Sequence, residues 1–220
     1  MTADKKIYVI HATRISFAPA KASFDKHWPQ AKVCNLLDDS LASDRQADGE
    51  ITDSMLRRFE MIGAYCAEAG ADAILFTCSA FGLAIEHVQR LHDIPILTPN
   101  EALFDSVLEL GGPLALMTTF GPSIPALRDE LSAMSAARGQ SLQPEAVVVD
   151  GALDALLGGD QALHDRLVAE KAVALRGYSA IMFGQFSMAG AAELAQPRTQ
   201  TPILTTPDCA VQKLMRLVLA

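Results

Sequence analysis

The sequence repeats itself at a constant separation of 107 residues. Segments that lie far apart within the repeating unit share this separation: IYVI at 7–10 with LALM at 114–117, AILF at 73–76 with AIMF at 180–183, and PILT at 95–98 with PILT at 202–205. An insertion interrupts the middle of the unit, where Leu37-Asp38 resembles Val149-Asp150 at a separation of 112. Because both ends of the unit agree on one separation without gaps, the sequence indicates an internal duplication.

Each half alternates short apolar runs with longer helical patterns, which is typical of parallel α/β folds. Predicted strands cover residues 7–10, 31–35, 73–77, 95–98, 114–117, 147–149, 180–183 and 203–204. Predicted helices cover residues 19–28, 51–69, 81–91, 101–110, 124–138, 162–176, 188–195 and 208–219. Runs such as AILF and AIMF are apolar at every position, as strands buried on both faces require. We therefore expect an α/β fold of two pseudo-symmetric parallel-sheet units, with the active site in the cleft between the carboxyl ends of their sheets.

Composition and charge exclude several classes of protein and partner. The chain has 220 residues, of which 50% are hydrophobic, and a formal net charge of −8. These values exclude a disordered tail and argue against a nucleic-acid partner, which requires a basic surface. No stretch approaches the roughly 18 apolar residues of a membrane span, and residues 1–10 do not have the pattern of a signal peptide. We expect a cytoplasmic protein with no membrane partner, and a homo-oligomer remains an open alternative to a monomer.

Motifs for cofactors and metals are also missing from the sequence. It contains no glycine-rich nucleotide-binding motif, so we expect no cofactor. The four cysteines, Cys34, Cys66, Cys78 and Cys209, show no CxxC spacing, and a zinc site therefore has no support. The pair Asp38-Asp39 has no third or fourth ligand beside it, and capping of the following helix explains it better. We expect no metal site.

Cys78 is the cysteine whose position suggests chemistry. It follows the predicted strand at 73–77, where the chain enters a helix, and the separation of 107 places it opposite Gln185. A helix N-terminus lowers the pKa of a thiol, so we expect thiolate character at Cys78. The backbone amides of Ser79 and Ala80 follow this thiol and are suited to holding a carboxylate.

Other candidate substrate-binding residues follow equivalent strands in the two halves. They are His11, Thr13 and Ser16 after the first strand, Thr118 and Thr119 after its counterpart, and Gln185, Phe186 and Ser187 after the strand at 180–183. Thr118, Thr119 and Ser79, with backbone amides, would form a neutral cage for a carboxylate or an enediolate. His11 is a candidate general acid, although a lone histidine is more often a hydrogen-bonded structural residue. Phe186 could line an apolar pocket, although core packing is the commoner use of phenylalanine.

Taken together, these features resemble the aspartate/glutamate/hydantoin racemase superfamily, which includes allantoin racemases, maleate isomerase and arylmalonate decarboxylase. The resemblance covers nearly the whole chain and rests on the duplication and on three segments: LLDDSL at 36–41, TCSAFG at 77–82 and the Gly-x-x-x-Met-Ala pattern at 184–189. It implies interleaved units, 1–99 with 207–220 and 100–206. It also implies a cofactor-independent enzyme that acts on a small substrate, at the carbon alpha to a carboxylate or related carbonyl.

The resemblance also assigns roles to two positions. Racemases of this group are understood to use one cysteine from each half, so that one thiolate removes the α-proton and the other thiol reprotonates the opposite face. Cys78 matches the cysteine of the first half. The position of the second cysteine holds Gln185, whose neutral amide cannot exchange a proton near pH 7. The chain therefore departs from a two-thiol racemization.

A single thiol leaves three mechanisms open. The first is a racemase or epimerase whose other acid/base is water, a substrate group or His11. The second resembles arylmalonate decarboxylase, in which one thiol protonates an enediolate from one face. The third resembles maleate isomerase, in which Cys78 attacks a carbon–carbon double bond. We favour a racemase or isomerase, with decarboxylation as the alternative. A non-catalytic protein that binds a small acid is the alternative from a different class.

Overall fold

The computed structural model describes residues 4–220 and contains two four-stranded parallel sheets. Residues 1–3, which begin the segment considered for a signal peptide, lie outside the described residues. The chain divides into two compact units. Unit 1 comprises the described residues up to Pro99 together with Ala210–Ala220, and unit 2 comprises Asn100–Cys209. The sequence prediction placed the second boundary slightly earlier, after residue 206.

Unit 1 is built on a parallel sheet with the strand order β2-β1-β3-β4. The strands are β1 (Lys6–His11), β2 (Lys32–Leu37), β3 (Ala73–Phe76) and β4 (Ile96–Leu97). The helices are α1 (Phe17–His27), α2 (Ser40–Asp48), α3 (Asp53–Glu68) and α4 (Gly82–Gln89). Every residue of β3 is buried, as its continuous apolar run predicts.

Helix α3 illustrates how the sequence determines an element of unit 1. The Thr52 side chain accepts a hydrogen bond from the Met55 amide at 3.2 Å and so caps the first turn. The buried residues of the helix, Met55, Phe59, Gly63 and Cys66, recur at helical spacing. Along this face the Phe59 ring packs on the rings of Phe76 and Phe81, with centroids 5.3 and 5.1 Å away. The core of unit 1 therefore joins α3 to the sheet and to the start of α4.

Unit 2 repeats the same topology with the strand order β6-β5-β7-β8. The strands are β5 (Leu114–Thr118), β6 (Glu145–Val148), β7 (Ala180–Phe183) and β8 (Ile203–Thr205). The helices are α5 (Glu101–Leu110), α6 (Ile124–Ala137), α7 (Ala152–Leu157), α8 (Gln161–Ala174), α9 (Ala189–Ala195) and α10 (Thr206–Leu219), and the boundary between the units falls within α10. The predicted α/β fold with two parallel-sheet units is confirmed.

The internal duplication extends to details that the sequence prediction did not include. Each unit has a 3-10 turn after its first strand, at Arg14–Ser16 and Gly121–Ser123, and another after its third strand, at Ser79–Phe81 and Phe186–Met188. Both pairs keep the separation of 107 residues. The loops that follow β3 and β7 thus have the same local backbone.

The middle of each unit differs from the prediction. In the sheets, His11 pairs with Leu37 and Thr118 pairs with Val148. The separation between β2 and β6 is therefore 111 residues, and the predicted separation of 112 was wrong. A one-residue difference matters in a strand, because it exchanges the two faces of the sheet.

Candidate active site

The candidate site residues of unit 1 lie at the carboxyl edge of its sheet. Strands β1 and β3 are hydrogen-bonded neighbours, with Ile10 opposite Phe76. Because the two strands are parallel, their next residues, His11 on β1 and Thr77 and Cys78 after β3, emerge at the same edge. This arrangement brings together residues that are 66 positions apart in the chain.

Cys78 has extended backbone dihedrals and immediately precedes the 3-10 turn Ser79–Phe81. Its side chain is half-buried. Burial raises the pKa of the Cys78 thiol, and the hydrogen bond from the Ala80 backbone amide lowers it only in part. The expectation of a lowered pKa and thiolate character at Cys78 was therefore wrong. Desolvation of the charged form outweighs the single amide, and the thiol is protonated at neutral pH.

His11 is fully buried at the end of β1, with both ring nitrogens hydrogen-bonded inside the protein. Its Nε2 lies 3.0 Å from Asn35 Oδ1, and its Nδ1 lies 2.7 Å from Ser16 Oγ and 3.2 Å from Thr77 Oγ1. Since Asn35 Oδ1 can only accept, Nε2 carries the proton and Nδ1 accepts from a hydroxyl. The Phe17 ring stacks on the imidazole at a centroid distance of 4.1 Å.

Burial lowers the pKa of His11, although the hydrogen bond to Asn35 raises it in part. A neutral, fully bonded imidazole matches the structural interpretation of His11. Contact of His11 or Ser16 with a substrate remains a prediction, because both side chains are buried in this network.

The remaining unit 1 candidates lie in exposed turns. Thr13, Ser79 and Ala80 are exposed, and the Thr13 carbonyl accepts a hydrogen bond from Ser16 Oγ at 3.1 Å. The Ala80 carbonyl accepts one from Nε of Arg45, on α2, at 3.4 Å. Sequence reasoning did not single out Arg45, because α2 was not predicted as an element near the Cys78 loop.

In unit 2, the candidate residues converge on the amide of Gln185. Its Oε1 accepts hydrogen bonds from the Thr119 backbone amide at 2.7 Å, from Thr119 Oγ1 at 2.9 Å and from Thr118 Oγ1 at 3.0 Å. Thr118 ends β5, and Gln185 follows β7, its neighbour in the sheet. The structure therefore brings together three residues that the sequence placed at equivalent strand ends. The predicted cage of donors exists, and its acceptor is a side chain of the protein.

The backbone beside Gln185 is tightly packed. A methyl group on Gly184 would lie 3.1 Å from Leu116 Cδ1, 3.2 Å from Leu127 Cδ1 and 3.3 Å from the Met117 carbonyl oxygen. Glycine at 184 thus allows the chain to pass close to β5 before it reaches Gln185. The following residues, Phe186 and Ser187, are buried, and their contact with a substrate remains a prediction.

Charged groups elsewhere in the described chain serve structural roles. Asp38 lies 2.6 Å from Arg58, and its Oδ1 accepts from Ser40 Oγ at 2.7 Å and from the Ser40 amide at 3.2 Å. The hydrogen bonds from Ser40 and the Arg58 guanidinium lower the pKa of Asp38 against the opposing effect of burial. Asp38 thus fastens the start of α2, as the sequence suggested. Within residues 4–220, no three His, Cys, Asp or Glu side chains are grouped in a way that would hold a metal ion.

Comparison with protein families gives a match over most of the chain. The model of the Asp/Glu/hydantoin racemase family matches residues 13–214. The chain belongs to the Asp/Glu/hydantoin racemase family. The resemblance noted in the sequence is thereby confirmed. Curated protein sequences provide no match.

Solved structures of racemases share the fold at low sequence identity. Allantoin racemase from Klebsiella pneumoniae has a TM-score of 0.73 at 17% identity, over 98% of this chain and 88% of that one. Aspartate racemase from Picrophilus torridus has a TM-score of 0.73 at 10% identity, over 97% and 94%. A variant of arylmalonate decarboxylase in a sulfate-associated form has a TM-score of 0.68 at 14% identity, over 98% and 94%. This racemase-family fold indicates an enzyme. In the described part of the chain, each helix is too short or too polar to span a bilayer.

Proposed function

We propose that this protein is a cofactor-independent racemase or related isomerase that moves a proton at the carbon alpha to a carboxylate or related carbonyl. The observation that carries the proposal is the thiol of Cys78, half-buried at the carboxyl edge of the unit 1 sheet beside the Ala80 amide. Family membership supports the class of reaction. We assign the role of acid/base group to Cys78.

The raised pKa of Cys78 bears on how this group would act. A thiolate with a high pKa is a stronger base toward a weakly acidic carbon, whereas the neutral thiol is the dominant form at pH 7. Removal of an α-proton therefore requires prior loss of the thiol proton, and we expect such a reaction to accelerate toward alkaline pH. Donation of a proton to an enediolate uses the resting form directly, and we expect that reaction to slow at alkaline pH.

Decarboxylation is the second candidate, and the protonated thiol specifically favours it. In this reaction the bond between the α-carbon and one carboxylate breaks, carbon dioxide leaves, and the electron pair enters an enediolate. The Cys78 thiol then gives its proton to the α-carbon, and the thiolate regains a proton from water. Gln185 carries no exchangeable acid at the equivalent position of unit 2, which suits protonation from one face. The fold shared with arylmalonate decarboxylase is compatible with this chemistry.

Deuterium exchange separates the candidates in one experiment. The protein is incubated in D₂O with aspartate, glutamate, hydantoins, allantoin, phenylmalonate and maleate in turn, and the reactions are followed by NMR. Exchange of the α-hydrogen without carbon dioxide supports racemization, and carbon dioxide with label on one face supports decarboxylation. Movement of olefinic signals with maleate identifies nucleophilic isomerization. Binding of a compound without any of these changes would overturn the catalytic proposal in favour of a binding protein.

Substitution of the thiol tests its assigned role. We expect Cys78→Ser to lower the rate of exchange or decarboxylation by about 1,000-fold or more, because an alcohol is a far weaker acid at this position. Cys34→Ser provides the control, since Cys34 is another half-buried cysteine of unit 1, on β2. Unchanged turnover in Cys78→Ser would refute the assignment.

A further inference from the structure

The hydrogen bonds around Gln185 determine which end of its amide is free. The Thr119 backbone N–H can only donate, so the amide atom that it contacts at 2.7 Å is the oxygen. The Ser123 hydroxyl donates to the Phe120 carbonyl at 2.7 Å, and the Phe120 amide donates to Thr118 Oγ1 at 3.1 Å. The proton of Thr118 Oγ1 is then available for Gln185 Oε1. One consistent set of donors therefore saturates the amide oxygen.

The amino group of Gln185 is left without a protein partner. Within the described residues, Nε2 makes no hydrogen bond, and the side chain is partly exposed. The amide is thus anchored at its oxygen and presents two N–H donors. An amide whose oxygen accepts several hydrogen bonds is also a stronger donor, because hydrogen bonds in a chain polarise one another.

The equivalent position of unit 1 shows that this arrangement belongs to Gln185. The separation of 107 places Ala12 opposite Thr119 and Cys78 opposite Gln185. Alanine offers no hydroxyl, and no side chain among the described residues is recorded as donating to the Cys78 sulfur; its bond comes from the Ala80 amide. Unit 1 thus pairs a titratable thiol with alanine, whereas unit 2 pairs an amide with a hydroxyl that orients it.

We propose that Gln185 binds an oxygen of the substrate carboxylate or carbonyl through Nε2, and that Thr118 and Thr119 are its positioning residues. This inference rests on the proposed function and deepens it. It also changes the role expected for the two threonines, which hold the donor rather than the ligand. A fixed, neutral donor of this kind stabilises negative charge that grows on the oxygen when an enediolate forms. Gln185 replaces proton transfer in unit 2 with oxygen binding.

NMR of the side-chain amide tests the inference without requiring turnover. The Gln185 amide signals of ¹⁵N-labelled protein are assigned by their loss in Gln185→Met, and acetate, benzoate and each compound of the exchange panel are added to Cys78→Ser. We expect a downfield shift of the Gln185 amide protons that saturates with at least one of these acids. Signals that stay in place with every acid, or an acid that binds without moving them, would overturn the proposal.

Affinity measurements on variants separate binding from orientation. For the acid that shifts the amide, we expect roughly tenfold or weaker binding in Gln185→Met, which is neutral and of similar length, and in Gln185→Glu. We expect a smaller loss in Thr119→Val and recovery in Thr119→Ser, which restores the hydroxyl. Wild-type affinity in Gln185→Met would refute the inference. Because binding is read here, a failure of Cys78→Ser to stop turnover counts against the proposed function alone.

Discussion

At the scale of single residues, Cys78 shows burial outweighing a favourable local amide. The Ala80 N–H stabilises the thiolate, yet desolvation raises the pKa of the thiol overall. We predict that the rate of Cys78 alkylation by iodoacetamide has its pH midpoint above that of the same chain unfolded in urea. Mass spectrometry of the peptide containing Cys78 measures this rate. The midpoint does not depend on access to the reagent, so a lower midpoint in the folded protein would contradict the raised pKa.

His11 leads to a prediction about stability and pH. Burial holds the pKa of the folded His11 below that of the unfolded chain, so the unfolded state takes up the proton first as the pH falls. We expect this residue to reduce the free energy of unfolding as the pH drops below about 6.5, by at most about 1.4 kcal/mol per pH unit. Urea unfolding of wild type and His11→Gln between pH 7.5 and 5.5 measures the difference. An equally steep loss in the variant would show that His11 does not contribute.

The candidate site could be predicted from the sequence as positions, but not as interactions. The duplication and the strand ends placed Cys78, Gln185, Thr118 and Thr119 at sheet edges, because strand ends follow from apolar periodicity. The donors on Gln185 and the partners of His11 depend on side-chain orientation, which periodicity does not describe. Burial of the Cys78 sulfur depends in the same way on packing, and the pKa prediction failed for that reason.

At the scale of elements, strong apolar patterns were predicted well and weak ones were missed. The helix at 101–110 and the strand at 180–183 have the predicted bounds. Helix α2 was not predicted as an element, because Leu41 is its one fully buried residue and the rest is polar. Helix α7 has six residues and buries only two alanines, so it has no apolar period that could be read.

The contact between α3 and α4 supports a prediction about helix packing. A methyl group on Gly63 would lie 2.5 Å from Val88 Cγ1, whereas one on Gly82 would have no neighbour within 4 Å. We expect Gly63→Ala to lower the free energy of unfolding by about 1–3 kcal/mol through overpacking. Gly82→Ala is the matched helical control, and we expect no loss there. Urea unfolding of both variants measures the contrast, and equal stability of the two would contradict the close approach.

At the scale of the whole molecule, unit 1 is completed by the C-terminal segment of the chain. Leu214 of this segment is fully buried, and Gln212 Nε2 lies 3.3 Å from His27 Nδ1 on α1. The buried Trp28, the single tryptophan of the sequence, follows His27 and provides a fluorescent probe of unit 1. We predict that Leu214→Ala lowers the stability reported by Trp28 by about 2–5 kcal/mol.

Leu217 on the same helix provides the control for this prediction. Its side chain is 48% exposed, so we expect Leu217→Ala to change the free energy of unfolding by less than about 0.5 kcal/mol. Similar losses in the two variants would indicate that general helix propensity, rather than burial in unit 1, governs the effect.

The two 3-10 turns after β3 and β7 have a consequence for protein engineering. Cys78 and Gln185 both have extended dihedrals just before these turns, although one carries a thiol and the other an amide. The backbone thus forms the same mount for side chains of different chemistry. A designer can exchange the reactive group at either position while the sheet and the turn that carry it stay as they are. The duplicated scaffold offers two interchangeable sockets, so new pairs of acids, bases or hydrogen-bond donors can be installed by two substitutions.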